Sequence, residues 1–199
     1  MDTNEVIIRS WQHTFRTLEG RERPLGDIYP TFGEPLEVTM AKMFPNVPTA
    51  ESIEIYRSFH RDNFGEMIHV FPGMSEVLGE LQTKGLKLGL VTSRLVATTQ
   101  QGLTQYGLTE FFPCVITADD TKKHKPDPEP LRLAMTALGA RAENTIYIGD
   151  TQFDIDCAKN AGVRSVLVDW TLTISEKQKT GPEGPDAIME KAEDLLELL

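Results

Sequence analysis

Residues 145–168 read TIYIGDTQFDIDCAKNAGVRSVLV, and this stretch predicts the fold class. Thr145–Ile148 is a short apolar run of strand length, Phe153–Ala161 has the length of a helix, and Ser165–Val168 is a second apolar run. Neither run alternates with polar residues, which is typical of strands that are covered on both faces. An apolar strand, a helix and a further apolar strand predict a βαβ unit with parallel strands.

The same alternation extends towards the amino terminus as far as residue 75. Two more apolar runs, Leu86–Val91 and Cys114–Thr117, have the length of strands. The helices predicted between the runs are Ser75–Lys84, Val96–Tyr106 and Pro128–Leu138. After the last strand, Ser175–Pro185 is predicted to be a polar loop and Ala187–Leu199 a terminal helix. We therefore expect an α/β core with a Rossmann-like parallel sheet.

Residues 4–70 have a different pattern, in which nothing alternates like a strand. Apolar residues recur at helical spacing in Asn4–Glu19, and Gly20 is expected to end that helix. Two further helices are predicted near Leu36–Met43 and Ala50–Glu66. The sequence therefore predicts an all-helical block that precedes the α/β core.

Composition narrows the class of protein. Of the 199 residues, 40% are hydrophobic and 25% charged, which is ordinary for a globular protein with a core. The net charge of -10 argues against non-specific binding to nucleic acid or to an anionic membrane, although it leaves room for a small phosphorylated substrate. The two cysteines lie far apart and suggest neither a zinc site nor a disulfide framework. No secretory signal is apparent at the start, so we expect a cytoplasmic protein.

Polar side chains follow three of the predicted strands. Thr92 and Ser93 come after the first strand, Lys125 after the second, and Asp150 and Asp154 after the third. Each has an ordinary explanation alone, as a helix cap, a first-turn acid or a solvated lysine. In an open parallel sheet, however, ligands bind beyond the carboxyl ends of the strands. A hydroxyl, a lysine and two carboxylates at such ends favour a binding site over capping.

These residue types suit phosphoryl chemistry. A transferring phosphoryl group carries its charge on its outer oxygens and needs hydroxyl or N–H donors, a fixed cation and a magnesium ion. Magnesium prefers carboxylate oxygens and water, which Asp150 and Asp154 could supply or support. The ammonium of Lys125 is a compact charge that suits both phosphate and carboxylate.

Three segments carry a resemblance to a known family. Residues 88–94 (LGLVTSR), 124–130 (HKPDPEP) and 148–155 (IGDTQFDI) resemble the second, third and fourth motifs of phosphatases of the haloacid dehalogenase superfamily. The roles that the resemblance implies are phosphoryl binding for Thr92 and Ser93, the motif lysine for Lys125, and magnesium ligation for Asp150 with support from Asp154.

The first motif of that family, Asp-x-Asp-Gly-Thr, does not occur in the 199 residues. In the family it follows the first strand and supplies the nucleophilic and the acid/base aspartates. Residues 1–5 (MDTNE) resemble the segment directly after it, so the chain is expected to be truncated before this motif, with the first strand missing. A catalytically inactive phosphate- and magnesium-binding regulatory protein is the alternative from another class.

The resemblance also implies that two parts of the chain have different roles. Residues 4–70 correspond to a helical cap, and residues 1–3 and 71–199 to the core. In the cap, residues 31–36 (TFGEPL) resemble the specificity loop of the pyrophosphatase and phosphoglycolate phosphatase branch. The candidate substrate contacts of the cap are Gly33, Glu34 and Arg57, the last two with surface exposure as an equally good explanation.

Two segments of the core point to one branch of the family. Residues 125–131 (KPDPEPL) and 168–172 (VDWTL) are most similar to PpaX-type pyrophosphatases. The implied function is hydrolysis of pyrophosphate or a small phosphomonoester through an aspartyl-phosphate. Phosphoglycolate phosphatase and β-phosphoglucomutase activities are alternatives within the superfamily.

Overall fold

A computed structural model describes all residues from Met1 to Leu199. Contacts between residues divide the chain into two units, Met1–Val70 and Phe71–Leu199. None of the helices is long and apolar enough to cross a membrane.

The first unit consists of helices, as its sequence pattern predicts. They are α1 (Asn4–Glu19), α2 (Leu25–Ile28), α3 (Leu36–Met43) and α4 (Thr49–Met67), with a 3-10 turn at Tyr29–Thr31. Helix α1 ends where Gly20 adopts a left-handed conformation (φ 72°) and donates its N–H to the carbonyl of Arg16. Trp11 and Phe15 of α1 pack with Tyr56 of α4 in an aromatic core.

The second unit alternates strands and helices. Its strands are β1 (Gly89–Val91), β2 (Cys114–Ile116), β3 (Ile146–Gly149), β4 (Arg164–Val168) and β5 (Ala187–Met189). Its helices are α5 (Met74–Thr83), α6 (Val96–Gln105), α7 (Glu129–Leu138), α8 (Gln152–Ala161) and α9 (Glu176–Lys179). Short 3-10 turns lie at Thr109–Phe111, Ala142–Asn144 and Ala192–Leu196.

All strand pairs are parallel. Strand β1 pairs with β2, and β3, β4 and β5 form a second sheet in that order. The mixed α/β fold with parallel strands is therefore confirmed. Strand β1 begins only at Gly89, although an apolar run from Leu86 predicts a longer strand, and Leu86 is 40% exposed.

Strand β4 shows why its sequence is continuously apolar. Val166 and Val168 pack against α5, whereas Leu167 packs against Ile155 of α8 on the opposite face. Both faces of the strand are therefore covered, so no position between Ser165 and Val168 is available for an exposed polar side chain.

The carboxyl-terminal segment corrects the sequence prediction. Ala187–Leu199 is not a helix, because Ala187–Met189 joins the sheet beside β4 and only Ala192–Leu196 forms a 3-10 turn. The carboxylate of Asp194 accepts hydrogen bonds from the backbone N–H groups of Glu190 (2.8 Å) and Lys191 (3.1 Å). These bonds fix a bend directly after the strand and divide the segment into two short elements.

Candidate active site

The predicted polar groups lie where strands end. Thr92 directly follows β1 and donates its N–H to the carbonyl of Ile116 at 2.9 Å. Asp150 directly follows β3, and Lys125 lies in the connection from β2 to α7. This is the edge of a parallel α/β fold at which ligands commonly bind.

The turn after β3 is built around the side chain of Asp154. Thr151 caps α8 by accepting a hydrogen bond from the N–H of Asp154, and the carboxylate of Asp154 accepts one from the N–H of Thr151 at 3.1 Å. A Cβ atom on Gly149 would lie 2.2 Å from the Cβ of Asp154, so only glycine lets the turn approach this side chain.

Both carboxylate oxygens of Asp154 are engaged. Oδ1 accepts from the ammonium of Lys125 at 2.6 Å and from the hydroxyl of Tyr147 at 3.1 Å. Oδ2 accepts from the hydroxyl of Thr151 at 2.7 Å, the N–H of Thr151 at 3.1 Å and the N–H of Asp150 at 3.3 Å. Asp154 is only 4% exposed, so this buried carboxylate has its full set of donors.

Lys125 and Asp154 remain an ionised pair although both are buried. Burial is the largest influence on Lys125 and lowers its pKa, but the charge and hydrogen bond of Asp154, together with Tyr147 and Asp150, outweigh it, so the pKa is raised above the ordinary lysine value. Burial likewise raises the pKa of Asp154, but Lys125 and the hydrogen bonds of Thr151 outweigh it and the pKa is lowered. Both groups are therefore charged at neutral pH.

The side chain of Asp150 contrasts with that of Asp154. Its carboxylate receives no hydrogen bond from another residue and forms no ion pair, whereas its backbone carbonyl accepts hydrogen bonds from the hydroxyls of Thr171 and, at 2.8 Å, Thr173. Asp150 is exposed as a whole residue. The pKa of its carboxyl is nevertheless raised, first because the surrounding protein atoms separate the carboxyl from water and then because of the negative charge of Asp154. The positive charge of Lys125 opposes this rise.

This contrast bears on a magnesium ion. The structure contains no group of three or more His, Cys, Asp or Glu side chains arranged to hold a metal by themselves. Magnesium is usually bound through one or two carboxylates together with water and substrate phosphates. The open carboxylate of Asp150 fits that pattern, and a cation there would offset the repulsion from Asp154. Asp154 fits a supporting role, because its oxygens are already occupied.

The hydroxyls after β1 are open towards a ligand. The side-chain oxygen of Thr92 accepts a hydrogen bond from the N–H of Arg94 at 3.2 Å, which leaves its O–H proton unused. The side chain of Ser93 makes no hydrogen bond. Tyr147 links this strand end to the Asp154 cluster, because its hydroxyl lies 3.5 Å from the carbonyl of Val91.

Three candidate substrate contacts, Gly33, Glu34 and Arg57, lie in the first unit. Gly33 has a positive φ of 82°, which suits a tight loop. Glu34 accepts a hydrogen bond from the hydroxyl of Thr39 at 2.9 Å and pairs with the ammonium of Lys42. Arg57 is exposed on α4 and forms no ion pair. Their contact with substrate stays a prediction.

Three residues of the site are absent from the sequence predictions: Tyr147, Thr171 and Thr173. Tyr147 appears in the sequence as one apolar residue of a strand, and a tyrosine in an otherwise aliphatic run is the only sign of its role. The two threonines lie in the connection after β4, and only the folded chain brings their hydroxyls to Asp150.

Comparison with known proteins identifies the family of the chain. Residues 1–168 match the family of haloacid dehalogenase-like hydrolases. Pyrophosphatase PpaX of Bacillus velezensis is 37% identical over 198 residues, which cover 100% of this chain and 90% of the relative. Pyrophosphatase PpaX of Bacillus cereus is 36% identical over 201 residues, covering 100% of this chain and 91% of the relative.

Solved structures share the fold. A haloacid dehalogenase-like hydrolase of Streptococcus pneumoniae superposes with a TM-score of 0.84 at 24% identity, covering 99% of this chain and 91% of the other. A candidate phosphoglycolate phosphatase of Lactobacillus plantarum gives a TM-score of 0.83 at 24% identity, covering 100% and 93%. From the family match and the identity to the Bacillus relatives, the chain belongs to the haloacid dehalogenase-like hydrolases.

Proposed function

We propose that the protein is a magnesium-dependent phosphohydrolase that acts on pyrophosphate or a small phosphomonoester. The observation that carries the proposal is the open carboxylate of Asp150 beside the buried pair of Lys125 and Asp154, at the carboxyl ends of parallel strands. The 37% identity to a pyrophosphatase over the whole chain supports pyrophosphate as the first substrate to test.

Each residue has a role that follows from its contacts. Lys125 supplies a cation that stays protonated, because Asp154 raises its pKa. Thr92 has an unused hydroxyl proton for a phosphoryl oxygen, and Ser93 can add its N–H. Asp150 holds the magnesium ion, which when bound supplies positive charge to the phosphoryl oxygens. Asp154 fixes Lys125 and the turn that carries Asp150.

The chemistry proceeds through an aspartyl-phosphate. A carboxylate oxygen attacks one phosphorus of pyrophosphate, the bridging P–O bond breaks and phosphate leaves. Water then attacks the phosphorus of the aspartyl-phosphate, releases a second phosphate and restores the carboxylate. The nucleophile is not assigned to any of residues 1–199, because Asp-x-Asp-Gly-Thr does not occur among them.

Residues 4–70 act in this proposal as a cap, and residues 1–3 and 71–199 as the catalytic core. The cap would select the substrate through Gly33, Glu34 and Arg57. The charge of -10 and the two free cysteines are consistent with a cytoplasmic protein that binds small anions locally and neither nucleic acid nor membranes.

The test is magnesium-dependent phosphate release from pyrophosphate. It is measured for residues 1–199, and for a chain that also carries the in-frame sequence upstream of Met1, where there is one. The proposal is supported if only the longer chain shows turnover and if that turnover depends on Asp150. Turnover by residues 1–199 would place the nucleophile within them and refute our interpretation of the first motif.

One alternative rests on a specific observation. The second candidate is a regulatory protein that binds phosphate and magnesium without turnover, since the exposed Asp150 beside the ion pair of Lys125 and Asp154 fits binding as well as hydrolysis. Magnesium and pyrophosphate binding without phosphate release from either chain would support that function. A panel with phosphoglycolate and β-glucose 1-phosphate separates the phosphatase and mutase alternatives from pyrophosphatase activity.

A further inference from the structure

The connection after β4 contacts Asp150 through two hydroxyl groups. Thr171 and Thr173 both donate to the carbonyl oxygen of Asp150, the second at 2.8 Å. The N–H of Thr173 donates to the hydroxyl oxygen of Thr171 at 3.1 Å, so that oxygen is an acceptor and its proton points to Asp150. Both lone pairs of the carbonyl are therefore used.

This connection, residues 169–179, is anchored independently of Asp150. The ammonium of Lys179 lies 2.5 Å from a carboxylate oxygen of Asp169 and 2.7 Å from one of Glu176, which ties its two ends together. Between them, Ile174 is 7% exposed and packs with Ile155 and Leu167. The two threonines are thus presented from a segment that is fixed to the core.

The contacts hold Asp150 on both sides of its Cα atom. Its N–H donates to Oδ2 of Asp154 at 3.3 Å, which fixes the peptide group before it. Its carbonyl is held by Thr171 and Thr173, which fixes the peptide group after it. With both peptide groups fixed, the direction of the Cα–Cβ bond is fixed as well. Only the two side-chain torsions of Asp150 remain to be ordered when a cation binds.

We propose that Thr171 and Thr173 are positioning residues that preorganise Asp150 for a divalent cation. The inference rests on the proposed function, since it assumes that Asp150 binds the metal. Because the carbonyl oxygen is saturated by hydroxyls, the carboxylate is the part of Asp150 that the site offers to a cation. Preorganisation lowers the entropy that is lost on binding, and removal of such outer partners typically weakens metal affinity about 10- to 100-fold.

The test is Mn²⁺ binding followed by the electron paramagnetic resonance signal of the free ion. The double substitution Thr171→Val and Thr173→Val keeps the branched shape and removes both hydroxyls. We expect its dissociation constant for Mn²⁺ to rise about 10-fold or more. The single substitution Thr173→Val removes only one donor and should give a smaller rise, and it replaces the double variant if that fails to fold.

Two further variants separate positioning from general damage. Thr171→Ser with Thr173→Ser restores the hydroxyls and should restore Mn²⁺ affinity. Thr180→Val is the matched control, since the hydroxyl of Thr180 also donates to a backbone carbonyl, that of Glu176 at 3.0 Å, but does not touch Asp150. It should leave Mn²⁺ affinity unchanged.

The outcomes distinguish this inference from the proposed function. Binding that is lost in Asp150→Ala but unchanged in the valine variants overturns the positioning role and leaves the metal role of Asp150 intact. Binding that is weakened equally by Thr180→Val also overturns it. No Mn²⁺ binding by the unsubstituted chain, or binding that survives Asp150→Ala, overturns the metal role and this inference together.

Discussion

Asp150 donates its backbone N–H to Oδ2 of Asp154 at 3.3 Å, while its own carboxylate receives no hydrogen bond from another residue and forms no ion pair. Two aspartates four residues apart thus have different states. Asp154 is a buried acceptor whose oxygens are occupied by Lys125, Tyr147, Thr151 and the N–H of Asp150. In our account, Asp154 holds the site together and Asp150 binds the cation.

The buried pair gives the first prediction. Asp154→Asn removes the negative charge and leaves the ammonium of Lys125 buried without its counter-ion. We expect the free energy of unfolding in urea to fall by about 3–5 kcal/mol. Glu143→Gln is the control, because its ion pair with Arg141 is exposed and should contribute less than about 1 kcal/mol. A loss for Asp154→Asn no greater than that of the control would contradict the role of the pair.

The pH dependence of this loss follows from the lowered pKa of Asp154. A carboxyl whose pKa is lower in the folded state stabilises the fold above its unfolded pKa of about 3.9. That contribution is lost as the pH falls through the folded pKa. The difference in unfolding free energy between the natural chain and Asp154→Asn should therefore be constant from pH 7 to about pH 5 and shrink in more acid solution. A difference that grew on acidification would show that the pKa of Asp154 is not lowered in the folded state.

Asp150→Asn should have the opposite effect on stability in the absence of metal. Burial and the charge of Asp154 raise the pKa of Asp150, so its ionised form destabilises the folded state at neutral pH. Removing the charge should raise the melting temperature without metal and abolish the rise caused by added Mg²⁺. Scanning calorimetry with and without Mg²⁺ measures both effects. A variant that Mg²⁺ still stabilises as strongly as the natural chain would exclude Asp150 as the ligand.

Gly149 gives a steric prediction. A methyl group at this position would lie 2.2 Å from the Cβ of Asp154, so either the turn or the side chain must move. Gly149→Ala should lower the free energy of unfolding by about 1–3 kcal/mol. Gly79→Ala in α5 is the matched control, since its Cβ would lie 4.0 Å from the nearest atom, a ring carbon of Phe111, and the substitution should stabilise the fold by about 0.5–1 kcal/mol. Equal effects at the two glycines would contradict the close approach at Gly149.

Tyr147→Phe removes one donor to Asp154 and keeps the buried ring. Lys125 still occupies the same carboxylate oxygen, so the expected loss in unfolding free energy is about 0.5–1.5 kcal/mol. The control is Tyr29→Phe, whose hydroxyl makes no hydrogen bond and which should change stability little. Urea unfolding of both variants decides this, and no loss for Tyr147→Phe would exclude its hydroxyl from the network.

Four of the five strands and most helices of the fold were predictable from local patterns. The stretch from Thr145 to Val168 alternates a strand, a helix and a strand in the structure as in the sequence. The segment from Ala187 was not predictable in this way, because its strand depends on pairing with β4 and its bend on hydrogen bonds to Asp194. Both contacts join parts of the chain that a local pattern does not relate.

The same limit applies to the site. Lys125, Asp150 and Asp154 could be selected because each follows an apolar run in a familiar motif. The difference between the two aspartates could not, since it depends on Tyr147 and on the connection after β4. Such long-range contacts decide which carboxylate is occupied and which is open, although the two residue types are identical.

The most direct measurement is a calorimetric titration of pyrophosphate into residues 1–199, with and without Mg²⁺, for the natural chain and for Asp150→Ala. Our account predicts that pyrophosphate binds the natural chain in the presence of Mg²⁺, that omission of Mg²⁺ weakens binding strongly, and that Asp150→Ala removes the effect of Mg²⁺. Binding with the same affinity in the absence of Mg²⁺, or an effect of Mg²⁺ that survives Asp150→Ala, would contradict the assignment of the open carboxylate as the metal site.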